Sequence, residues 1–376
     1  MIAAPEFAPY PLVQAPAYSR WMISGATLLV MLSSAGVLLR SMIEPRLVAV
    51  GMACASVIWL LALLLRVLHF RLNRHNAQSY HAAAKQVNQA WWMHHRQSAG
   101  LVESVLVSAT CTTEEQGLQL FSPDHQPPTP IATLEGHAIH LVQVFGKDLA
   151  DREHDLANML ALQWHKQREH SAVQPLRCYW QGSLPAWQAF IEQMARCSPQ
   201  VLLPDRPEPW EGIRTLDSII DQLQGVPSTA RILCAGCQSS AVQQEGNLAA
   251  GEAAVLWLLG PEGGVRFSRG ERFSAETEQL SAVAKRALQQ RELTASTEVC
   301  VSFTQPHVAD LPTAGWNTQQ HVQDANFGNL GHLQAMVVQT LAAWYAGHHQ
   351  APCAWLANDP HHTLALGIVE PDDSIS

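Results

Sequence analysis

Two stretches decide the fold: Ala230-Arg-Ile-Leu-Cys-Ala-Gly-Cys-Gln-Ser-Ser240 and Ala250-Gly-Glu-Ala-Ala-Val-Leu-Trp-Leu-Leu259. Each is a short apolar run with small residues at its polar end. That pattern predicts strands buried on both faces, at Arg231–Ala235 and Ala253–Leu259. Amphipathic stretches flank them. Thr215–Leu223 places Leu216, Ile219, Ile220 and Leu223 on one helical face, and Ala275–Glu292 repeats Leu280, Val283, Ala284, Ala287 and Leu288 at spacings of three and four.

Upstream, Leu101–Ala109, Ile139–Phe145 and Val201–Leu203 are predicted strands, and Asp155–Lys166 and Pro185–Arg196 are predicted helices. Downstream, the spacing predicts strands over Glu298–Phe303 and Leu364–Val369 and a helix over Leu330–Tyr345. Segments 122–134 and 204–212 are Pro-rich loops. Strands alternating with helices give an α/β class, layered α/β/α, for residues 101–376. No internal repeat is legible in the sequence.

The first hundred residues differ. Trp21–Leu39 and Leu47–Leu65 carry no charge, each close to the ~20 residues a helix needs to cross hydrocarbon. Between them lies the turn Arg40-Ser-Met-Ile-Glu-Pro-Arg46. The expectation is a tail over 1–20, a transmembrane hairpin over 21–65 in contact with membrane lipid, and a juxtamembrane helix over 66–100. A cleaved signal peptide is disfavoured because a second span follows at once. Arg66, Arg71, Arg74 and Lys85 follow the second span, which puts both termini in the cytoplasm of a bacterium with the hairpin in its inner membrane.

Charge agrees with that division. Residues 1–100 hold eight basic and two acidic side chains, net +6, whereas 101–376 hold fifteen and thirty, net −15. The whole chain is 15% charged, against roughly 25% for an average soluble domain. An acidic body excludes nucleic acid bound through bulk basicity.

The order of pieces over residues 213–369 resembles the second half of β-ketoacyl synthases, the condensing enzymes of the thiolase fold. The helix Thr215–Gln224 and the strand ending at Ser240 come first. Then come the Gly251-Glu-Ala-Ala strand and the helix and strand ending at Phe303. Last is Asn326-Phe-Gly-Asn-Leu-Gly-His332, which opens a long helix ending near Gly347 and Pro352. The resemblance implies a homodimer joined through a sheet edge.

The resemblance also implies a nucleophilic Cys at a helix N-terminus, with two His, or a His and an Asn, to stabilise the thioester oxyanion. Its Cys falls about twenty residues before the strand matched by Arg231–Ala235, near Pro209, Trp210 or Glu211, where this chain has none. Cys197 is too early. His307 is displaced from the place of the first family His, and His332 alone matches. The expected body is therefore a condensing-enzyme scaffold without its reaction. The alternative is an active acyltransferase using Cys197, Cys234 or Cys237.

The remaining patterns read as structure. Cys234-Ala-Gly-Cys237 has no second CxxC to complete a zinc site and ends an apolar strand, so core packing is expected. The eight Cys are scattered, as in a reducing compartment. The pairs His94-His95, His348-His349 and His361-His362 lack metal-ligand spacing, so neither metal nor cofactor is expected. Pro261-Glu-Gly-Gly264 is a turn, and Gly328-Asn-Leu-Gly331 a turn before a helix. Two spans before a Trp-rich, low-charge α/β body are similar in layout to type VI secretion accessory proteins, including the type VI lipase adaptor family. A scaffold or adaptor for a protein partner is the expected function, with a structural subunit of a membrane complex as a further option.

Overall fold

The structure is a computed structural model. It describes residues 5–38, 44–133, 136–146, 148–168, 172–242, 248–294, 297–305, 308 and 310–372. The chain divides into two compact units, residues 2–93 and 94–376.

In the N-terminal unit, α1 is Tyr18–Leu38 and α2 is Pro45–His95. The second apolar run and the stretch after it form one helix of 51 residues, roughly 76 Å at 1.5 Å per residue. Nothing in 46–95 breaks a helix, because the chain meets no proline there. The two helices approach closely where side chains are small: a Cβ on Gly25 would lie 2.7 Å from the Trp59 ring. Trp21 tilts against Trp59 at 6.3 Å. Residues before α1 run back along α2. Asn73 accepts from the Val13 N–H at 2.9 Å, Arg66 donates to the Gln14 carbonyl at 3.0 Å, and Tyr80 to the Ala8 carbonyl at 2.9 Å. Both helices are long and apolar enough to cross a membrane, and their large apolar side chains stay uncovered, Leu38 being 81% exposed.

The second unit is a mixed α/β body. Its elements in order are β1 (Ser98–Ser108), α3 (Glu114–Gln119), β2 (Ile131–Thr133), β3 (Gly136–Ile139), α4 (Leu149–Gln167), β4 (Arg177–Gln181), α5 (Leu184–Cys197), β5 (Glu208–Pro209), α6 (Ile213–Gln222), β6 (Ile232–Ser239) and β7 (Ala250–Gly260). After these come β8 (Val265–Ser268), β9 (Glu271–Phe273), α7 (Leu280–Gln290), β10 (Cys300–Ser302), β11 (His321–Val322), α8 (Asp324–Phe327), α9 (Gln334–His349), β12 (Cys353–Asp359) and β13 (His362–Pro371).

The strand order β11-β10-β12-β13-β8-β1-β7-β6-β4-β5 contains an internal repeat. From either end it reads third, second, fourth, fifth and first strand of a half. β4 pairs parallel with β5 and β6, as β10 does with β11 and β12. β6 is antiparallel to β7 as β12 is to β13. β7 is antiparallel to β1 as β13 is to β8 and β9. β1 pairs with β8 and joins the halves.

Strand alternation sorts the core into layers. In β7, Ala254, Leu256 and Leu258 face α4 and α5, while Val255, Trp257 and Leu259 face α6 and α9. In β12, Cys353, Trp355 and Ala357 face the same central helices, and Ala354 and Leu356 face α7. The layers are thus helix, sheet, helix, sheet, helix. Twelve of the sixteen residues of α9 are buried, as a helix between two sheet layers requires.

Three expectations change. Residues 213–260 close the first repeat and only 265–371 build the second, so the likeness to a second half alone was too narrow. The strand expected at Ile139–Phe145 stops at Ile139. Polar Gln143 interrupts its apolar run, and Val142 and Phe145 are 78% and 80% exposed. Val201–Leu203 contributes a single bridge, Val173 to Val201.

Candidate active site

The place that the resemblance assigns to the nucleophile falls between β5 and α6, at the N-terminus of a central helix. Trp210 there is buried, with its ring edge-on to Trp257 at 5.6 Å. Glu211 is exposed. Gly212 has φ +64°, and a Cβ there would run into the Asp359 carboxylate. No side chain, and so no thiol, fits at that position.

Asp359, at the end of β12, closes the helix. Its Oδ1 accepts the Ile213 N–H at 3.1 Å, the first donor of α6. Its Oδ2 accepts the His361 N–H at 3.2 Å and His362 Nδ1–H at 2.7 Å. The side chain is 1% exposed. An anion-binding helix terminus is therefore filled by an internal carboxylate from the other repeat. The preceding residue, Asn358, donates from Nδ2 to the Gly331 carbonyl at 3.4 Å. The end of β12 thus touches the starts of both central helices.

His332 lies in the turn into α9 and is exposed. His307 lies outside the described residues. Cys234 and Cys237 are not brought to His332 as a pair. Three residues apart on one strand, they face opposite layers: Cys234 packs with the central helices, and Cys237 with α4, its Sγ 3.5 Å from the Glu153 carbonyl. Burial pushes both thiols well above the ordinary cysteine range, to which Cys178 adds for Cys234 and Glu153 for Cys237. The same burial pushes Cys178 and Cys300 up to about 12. Such thiols hold their protons and are poor nucleophiles. Cys197 is half-buried at the end of α5, 4.0 Å from the Met194 carbonyl.

The Glu of the Gly251-Glu-Ala stretch is structural. Glu252 is buried and accepts from Ser239 Oγ at 2.8 Å, Arg152 Nη2 at 2.8 Å and the Leu141 N–H at 3.1 Å, with Arg152 Nε also bonded to it. It ties β6, β7, α4 and the loop after β3 together. Gly251 itself admits no Cβ, because the Phe327 carbonyl occupies that space. Sequence reading singled out this stretch but not Asp359, whose partner at Ile213 is 146 residues away. No group of His, Cys, Asp or Glu able to hold a metal occurs among the described residues.

No protein-family model matches the chain. No curated protein matches it in sequence. Solved structures do match in fold. The ketosynthase from module 1 of the bacillaene synthase of Bacillus amyloliquefaciens FZB42 is 11% identical with a TM-score of 0.51, over 74% of this chain and 76% of that one. The ishigamide ketosynthase/chain length factor is 12% identical with a TM-score of 0.50, over 73% of this chain and 99% of that one. The body accordingly has the thiolase-like fold of condensing enzymes, and the likeness extends well beyond residues 213–369. The layout shared with type VI secretion accessory proteins gains no support from these matches.

Proposed function

We propose that this chain is a membrane-anchored, catalytically inactive relative of condensing enzymes that holds a protein partner at the cytoplasmic face of the bacterial inner membrane. One observation carries it: the helix terminus where the fold would hold a nucleophile carries no thiol and is closed by Asp359. The uncovered apolar side chains of α1 and the first half of α2 favour insertion, and the basic residues from Arg66 onward favour a cytoplasmic body. Association with type VI secretion rests on layout alone.

Incubating the full chain in detergent with acyl-coenzyme A and acyl-carrier thioesters is expected to leave its intact mass unchanged. An acyl adduct on Cys197, Cys234 or Cys237 would establish the alternative, a working transferase.

A homodimer remains part of the proposal, but not through the sheet edges. The edge strands β5 and β11 have two residues each, and Pro209 deprives β5 of a donor. Light scattering of the full chain in detergent is expected to give twice the mass of one copy. A single-copy mass at micromolar concentration removes the dimer.

A further inference from the structure

One end of the hairpin gathers positive charge that the chain does not neutralise. Arg20 lies in the first turn of α1, and Arg66, Arg71 and Arg74 follow the apolar run of α2 within roughly 12 Å of helix. Local contacts put them at one end: Arg66 donates to the Gln14 carbonyl at 3.0 Å, and Trp21 tilts against Trp59. Arg20, Arg71 and Arg74 are exposed and have no hydrogen bond or ion pair among the described residues. Over residues 7–102 the sole carboxylate is Glu44, just before α2 at the other end of the hairpin. Guanidiniums gathered without a carboxylate repel one another, and a bound anion relieves that.

An apolar groove of about 470 Å³ starts beside this cluster. Met22, Gly25 and Leu29 of α1 form one wall and Ser56, Trp59 and Leu63 of α2 the other, each set recurring at spacings of three and four. Met22 is two residues from Arg20, and Leu63 three from Arg66. The groove ends at Leu29, midway along α1. It therefore spans the leaflet whose headgroups meet the arginines. The Ser56 hydroxyl already donates to the Met52 carbonyl at 2.8 Å, and the Trp59 N–H to Ser24 Oγ at 3.4 Å. An occupant needs no polar group there.

We propose that the hairpin holds one anionic phospholipid of the cytoplasmic leaflet, with an acyl chain in this groove and its phosphate among Arg20, Arg66, Arg71 and Arg74. This rests on the membrane anchor proposed above and adds a bound lipid to it. Charge and groove select together. A zwitterionic lipid brings an ammonium that the guanidiniums repel, and a soluble phosphate ester leaves the groove empty.

The test is native mass spectrometry of the full chain in non-ionic detergent, titrated with phosphatidylglycerol, with phosphatidylcholine of the same acyl chains and with glycerol phosphate. One phosphatidylglycerol per chain is expected, bound about tenfold more tightly than phosphatidylcholine, and no glycerol phosphate. Arg71→Gln with Arg74→Gln is expected to bring the two lipids within about twofold of each other, and Arg71→Lys with Arg74→Lys to keep the preference, since the positive charge decides it. Ala26→Phe, at an exposed position in the groove, is expected to weaken both lipids about tenfold. Absence of the preference, or a preference that survives the double Gln variant, overturns the proposal. Glycerol phosphate bound as tightly as the lipid would make this a soluble-phosphate site, and two chains without lipid would make the groove the seat of a second copy; either result overturns it too. Flotation with phosphatidylcholine vesicles separates the lipid site from the anchor. A chain that floats yet shows no preference loses the lipid site and keeps the anchor, and a chain that does not float loses both.

Discussion

Asp359→Ala is expected to destabilise the body by about 3–5 kcal/mol, the usual cost of removing one partner of a buried charged network. Three hydrogen bonds end on this one carboxylate. Their loss leaves the first donor of α6 buried without an acceptor and His362 Nδ1 without its partner. At roughly 2–4 °C per kcal/mol, thermal unfolding of the full chain in detergent should fall by about 10 °C. Asp359→Asn keeps the shape and an acceptor for Ile213, so about half that loss is expected. The same variant bears on function. If the helix terminus is inert because it is filled, emptying it still supplies no thiol, and Asp359→Ala should remain free of acyl adducts. A shift below about 2 °C would mean that the terminus is satisfied by other groups, and Asp359 would lose its role as the closure.

The contrast between this junction and the rest of the fold shows what sequence can and cannot carry. β6 and β7 were legible because residues 232–237 and 253–260 are apolar or small throughout, which leaves little alternative to a buried strand. The helices α6 and α7 were legible from their spacing. β8 and β9 were not, because four and three residues give no periodicity. They also carry Glu271, a charge that is buried only because Arg286 donates to it at 2.8 Å from fifteen residues away. β12 is hidden between Pro352 and Pro360, with no β-branched residue to mark it.

The repeat was invisible for a related reason. Equivalent strands differ in length and composition, β1 having eleven residues and β8 four, and β4 five and β10 three. Only pairing direction and order, which are properties of the folded chain, make them equivalent. That no Cys stands near Pro209, Trp210 or Glu211, where the resemblance implies one, was legible in the sequence. The capping of α6 by Asp359 was not, because no local rule links Gly212 to a carboxylate in the other repeat.

Trp257→Ala is expected to cost about 3–5 kcal/mol, the range for deleting a buried large aromatic side chain. Trp257 is fully buried on the inward face of β7, where both halves of the sheet and both central helices converge. Its ring meets Trp210 edge-on at 5.6 Å and Phe267 at 5.1 Å, and its Nε1–H donates to Thr340 Oγ1 of α9 at 2.8 Å. One side chain therefore couples the segment leading into α6, a strand of each repeat and the buried helix α9. Trp257→Phe keeps most of the apolar area and loses the hydrogen bond, so about 1–2 kcal/mol is expected. Leu176→Ala, at a side chain 59% exposed, is the control, and should stay within about 0.5 kcal/mol. Denaturant midpoints of the full chain in detergent, followed by tryptophan fluorescence, rank the three. Because Trp210 packs on the same ring, Trp210→Ala combined with Trp257→Ala should cost less than the two losses added, by at least about 0.5 kcal/mol. Strict additivity would show that Trp210 is held by other neighbours. The occupied terminus of α6 would then depend on Asp359 alone, rather than on a core that the two tryptophans build together.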